Sequence, residues 1–116
     1  MQRPLEVTFL GGLFIIVGVV SGVAHAWRAP LDRWLVLIEL IQVWAIVGGA
    51  LLIAGRAWAR WPMVMWMAFH VVVGALHSGS MAVSHGVLAV AITYFLFWGP
   101  AAAYFRPTAR EASGDR

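Results

Sequence analysis

Cysteine is absent from the 116 residues, so disulfides, thiolate metal sites, haem attached through cysteine and thiol catalysis are all excluded. Lysine is absent too: the eight basic residues are all arginine, set against five acids for a formal net charge of +3. Charge of either sign is scarce, at 11% of residues, where a soluble domain carries about a quarter. A phosphate-binding patch needs clustered Lys and Arg, so nucleic acid is not an expected partner. What is there instead is apolar, 62% of the chain. The composition is that of a membrane protein, and the length allows one domain.

Four apolar runs lie at about residues 7–27, 34–55, 62–78 and 81–105, followed by a short polar tail at 106–116. A helix rises 1.5 Å per residue, so about 20 residues cross a hydrocarbon core of roughly 30 Å. The runs are too long and too continuous for barrel strands, and lipid tolerates no unpaired backbone. The expected fold is therefore all-α: an integral membrane four-helix bundle with four transmembrane helices. Trp27 and Trp34 bracket the first connection and Trp58 and Trp61 the second, where an aromatic belt belongs. Trp98, Tyr104 and Phe105 mark the end of the fourth run, whereas Trp44 and Trp66 lie deeper and read as packing residues.

Arginine counting orients the bundle. Arg3, Arg56, Arg60, Arg106, Arg110 and Arg116 fall on one side if the helices alternate, leaving only Arg28 and Arg33 on the other. Both termini are thus expected in the cytoplasm, and arginine-only, Ala- and Val-rich usage points to a bacterial inner membrane. Arg3, the first run and Ala24-His25-Ala26 imitate a signal peptide, but the run exceeds the usual h-region, so a retained span is expected.

Small residues recur where helices could approach. Gly11, Gly18, Gly22 and Ala26 form a stripe in the first run, and Ala45, Gly48, Gly49 and Gly55 recur in the second. In lipid, such faces favour close helix packing. Gly22-Val23-Ala24-His25 also aligns with Gly74-Ala75-Leu76-His77 at an offset of 52 residues, which suggests two duplicated helical hairpins.

Any chemistry should sit among the intramembrane ionisable groups, which lipid penalises. His25, Glu39, His70, His77 and His85 all fall toward the expected outer face, with Gln42 one turn beyond Glu39. Three readings of them compete. His25 and His77 sit at matching depth, each with a glycine three residues before it, as ligands of haem b would. Alternatively His25, His77, His85 and Glu39 hold a transition metal, since imidazole and carboxylate suit such ions. Or Glu39 and His70 form a proton relay in a small proton-coupled transporter or channel oligomer. Met63, Met65 and Met67 lie toward the opposite end and read as packing or lipid-facing residues. Asp32 beside Arg33 reads as a solvated ion pair.

No P-loop, dinucleotide fingerprint or nucleophile elbow is present, and no catalytic residue is assigned. In size and span count the chain resembles the small multidrug-resistance exporters. Their hallmark is a membrane-embedded acid in the first helix, and the only acid there, Glu6, stands at its start. No site residue carries over. The leading expectation is a non-enzymatic accessory or assembly subunit of a larger membrane complex, with lipid, other membrane subunits or a second copy as partners.

Overall fold

The computed structural model describes residues 2–28 and 30–106; most of the expected polar tail lies outside the described residues. The chain forms α1 (Leu5–Arg28), α2 (Arg33–Ile53), a single 3₁₀ turn (Ala57–Ala59), α3 (Arg60–His77), α4 (Gly79–Phe97) and the short α5 (Pro100–Tyr104). Four of these, with the 3₁₀ turn counted into α3, are long and apolar enough to cross a membrane. The all-helical four-span bundle is as expected. One boundary differs: the fourth span stops at Phe97, because Gly99 and Pro100 interrupt it and Pro100 restarts the chain as α5.

Each connection has a local cause. Asp32 does not pair with Arg33; its Oδ1 accepts the Trp34 and Leu35 N–H groups, both at 2.9 Å, and so caps α2. At the far end of α2, Gly55 adopts φ +77°. There the Gly55 N–H donates to Leu52 O and the Arg56 N–H to Leu51 O, the paired bonds of a Schellman stop that favours glycine. Ser78 alone separates α3 from α4, closing the first and accepting the Met81 N–H at 3.2 Å to start the second.

The molecule is two helical hairpins. α1 runs along α2 through a glycine seam: a Cβ on Gly49 would lie 2.5 Å from Gly11 O, and one on Gly11 would lie 2.7 Å from Gly49 O. The small-residue stripes thus serve packing inside the chain, as expected in lipid, where close backbone approach replaces the hydrophobic drive. α3 runs along α4, and Gly74 lets the two helices close at Met81.

The two hairpins share a core mainly at one end, called here the terminal end because it holds the start of α1, the α2–α3 turn and α5. Val7, Leu52, Met63 and Leu96 are fully buried there, joined by Phe14, Trp66, Ala101 and Phe105. Arg60 ties that end together. It donates to Ala57 O and Leu96 O, and its guanidinium lies 4.7 Å from the Phe97 ring centre and 5.1 Å from that of Phe105. At the opposite, loop end, where α1 meets α2 and α3 meets α4, α4 buries nothing before Ile92. The Trp27, Trp34, Trp58, Trp61 and Trp98 rings are all exposed near helix ends, as a belt requires. Trp66 is buried as expected, whereas Trp44 is exposed rather than packed, lining an open groove between α2 and α3. Phe105 leaves the expected belt as well: α5 folds it back into the core.

Candidate functional site

The loop half carries the polar residues, and it divides them between the hairpins. Within α1 and α2, Glu39 and Gln42 both turn toward α1. Glu39 Oε2 lies 2.9 Å from where a Cβ on Gly22 would stand, and the Gln42 Cβ lies 3.7 Å from the same point. Gly22 therefore makes room for the carboxyl group. Gln42 is the one buried polar residue among the described residues. Glu39 Oε1 and Gln42 Oε1 are both buried and neither has a hydrogen-bond partner. Two orphaned acceptors one turn apart are costly in an apolar setting.

Within α3 and α4, His70 and His85 face each other. Their ring centres are 6.1 Å apart with an interplanar angle of 29°. His70 also lies against Trp66, with ring centres 3.8 Å apart, and edge-on to Phe69. Trp66 is fixed in turn: its Nε1–H donates to Ile41 O on α2 at 3.0 Å, one of the links between hairpins. A Cβ on Gly74 would come within 3.2 Å of His85 Nδ1, so Gly74 leaves this imidazole its place between the helices.

All four histidines share one local geometry. Nδ1 of His25, His70, His77 and His85 donates to the carbonyl oxygen four residues earlier, at 2.6, 2.9, 2.8 and 2.8 Å respectively. A carbonyl only accepts, so Nδ1 carries the hydrogen and the neutral ring presents its Nε2 lone pair away from its own backbone. This is the arrangement that prepares an imidazole to be a ligand.

The expected groupings fare differently. His25 and His77 are both exposed at the loop end, on different hairpins, and neither Nε2 has a hydrogen-bond partner among the described residues. The proposed metal set of His25, His77, His85 and Glu39 is not drawn together: among the described residues no three His, Asp or Glu side chains stand close enough to hold an ion. Glu39 and His70 are not joined by a hydrogen bond; the acid faces Gly22 and the imidazole faces Trp66 and His85. Sequence reading missed the His70–His85 pairing. The signal was available, because the two residues lie eight and seven positions on either side of Ser78, and such positions meet across a tight helical hairpin.

An apolar groove of about 600 Å³ between α2 and α3, lined by Val43, Trp44, Val47, Leu51, Trp58 and Pro62, lies away from these groups and offers a polar substrate nothing. Comparison of the chain with protein-family models, with curated proteins and with solved structures finds no match in any of the three. Fold and composition define the class: a multi-pass membrane protein of four spanning helices.

Proposed function

We propose that this chain is a non-enzymatic accessory subunit that docks onto a larger protein in the same membrane through α4. The observation that supports it is the imbalance of burial among the helices. Only 11% of the apolar window of α4 is buried, against 28–33% for the other three spans. Ser80 and Ser84 lie one turn apart on its exposed side, with Val83 and Val87 beside them. Their hydroxyls are satisfied locally, Ser84 Oγ by Ser80 O and Ser80 Oγ by Ser78 Oγ, so this side tolerates lipid until a partner helix covers it. Small and hydroxylated positions are what helices use to meet in a bilayer. The arginine distribution supports placing both termini in the cytoplasm of a bacterium, within its inner membrane.

The chain has no cysteine, so single cysteines can be placed cleanly. Val83→Cys and Val87→Cys on α4, carrying a photoactivatable maleimide, should cross-link to a larger membrane polypeptide that also co-purifies in stoichiometric amount. Ile16→Cys and Val20→Cys on the exposed side of α1 serve as controls. Equal labelling of both helices, or isolation of a lone monomer, would reject the proposal.

A second reading has its own support. Among the described residues no hydrogen bond occupies the Nε2 of any imidazole while Nδ1 is held by the backbone, which favours haem b or metal binding in a redox role over a purely structural one for these histidines.

A further inference from the structure

The stripe that forms the packed core of α3 and α4 at the terminal end continues toward the loop end as imidazole. His70 shares its helix face with the buried Met63, Trp66, Met67 and Gly74, and His85 shares its face with the buried Ile92 and Leu96. An apolar side chain at either place would continue the core without a polar atom to satisfy. From this placement we infer that His70 and His85 form an intramembrane site for a late first-row transition-metal ion, held through both Nε2 atoms. The inference rests on the second reading above and is independent of docking through α4.

Three features of the pair lead to a metal rather than to stacking alone. Both Nδ1 atoms are committed to backbone carbonyls, at 2.9 Å for His70 and 2.8 Å for His85, and no hydrogen bond occupies either Nε2 among the described residues. The spacing fits: two imidazoles bound end-on to one ion at about 2.0–2.1 Å each keep their ring centres roughly 5–6.5 Å apart, depending on the angle at the ion. The observed separation of 6.1 Å, between rings inclined at 29°, lies in that range, and binding turns the two Nε2 edges toward the ion. The pair is also held from both sides. Trp66, anchored to Ile41 O, backs His70, while Gly74 leaves the space in which His85 sits. Outer-shell support of this kind fixes ring orientation in metal sites.

The donors decide the class of ion. Two neutral imidazoles and no carboxylate suit zinc, copper or nickel and not the oxygen-seeking calcium or magnesium. The remaining coordination positions go to water. His25 and His77 play no part in this site.

The test uses the full chain in lipid nanodiscs, purified without a polyhistidine tag and titrated with Zn²⁺ against a chelating indicator. Cu²⁺ binding followed by electron paramagnetic resonance then counts nitrogen ligands. The expected result is retained binding in the His25→Ala/His77→Ala double variant and at least about a tenfold loss of affinity in both His70→Ala and His85→Ala, with two imidazole nitrogens in the copper spectrum. His70→Gln and His85→Gln, checked for helix content and monodisperse elution, guard against variants that fail to fold. Binding abolished in the His25/His77 double variant but kept without His70 would overturn the pair and leave the wider metal reading standing. No binding of Zn²⁺ or Cu²⁺ to the wild type would overturn both.

Discussion

The two ends of this bundle solve the same problem in different ways. At the terminal end, both hairpins meet over Leu52, Met63 and Leu96, and Arg60 secures the last turn of α4. At the loop end, each hairpin is closed within itself, through Gly22 beside Glu39 on one side and Gly74 beside His85 on the other. One end is built by volume matching, which a bilayer rewards through close packing. The other holds Glu39, Gln42, His70 and His85, which packing alone does not call for. The contrast teaches where to look for function: away from the core that keeps the hairpins together.

Substitutions can break that contrast, and their sizes should differ in a set order. The largest effect belongs to Gly49→Leu. Its side chain would meet the Gly11 backbone, which cannot move aside as a side chain can, so a loss above about 3 kcal/mol is expected, at or beyond the usual cost of overpacking. Denaturation in rising proportions of sodium dodecyl sulfate measures it. Met63→Ala comes next, at about 2–4 kcal/mol by the same assay, because Met63 is fully buried where α2 and α3 meet. Asp32→Ala should cost about 1 kcal/mol through the lost α2 cap, and Asp32→Asn should restore most of it. Smallest is Gly86→Ala. No atom lies within 4 Å of the added carbon, so this change should be neutral or stabilise by up to about 1 kcal/mol. Gly49→Ala, at the packed α1–α2 seam, should destabilise where Gly86→Ala, on an open helix face, does not, and equal effects of the two would refute the distinction between seam and open face.

Much of the fold was legible in the chain. Four apolar runs gave four spans, and the glycine stripes gave the α1–α2 seam. Even its pairing follows from symmetry, since Gly11 and Gly49, Gly18 and Gln42, and Gly22 and Glu39 all straddle the first loop about evenly. The break at Gly99-Pro100 is readable from proline chemistry, but the run stays apolar beyond it and so hides the break from hydropathy. Beside Arg33, Asp32 reads as half of an ion pair, although its position just before a helix is that of a cap. The site was less legible. Depth along a helix placed His25, Glu39, His70, His77 and His85 in one half, but depth does not say which way a side chain turns. Facing is set by the register between helices, and that register joins His70 to His85 and Glu39 to Gly22 instead of Glu39 to His70.

If the packed end supplies stability, the imidazoles of the loop end are dispensable for folding and serve binding. The most direct test is the melting of a His70→Leu/His85→Leu double variant beside the wild type, both metal-free, in the same nanodiscs. The expected melting temperature equals or exceeds that of the wild type, because well-packed apolar side chains replace a polar pair at little cost, and Zn²⁺ binding is lost. A melting temperature lowered as far as that of Met63→Ala would contradict this division and make the histidine pair part of the scaffold.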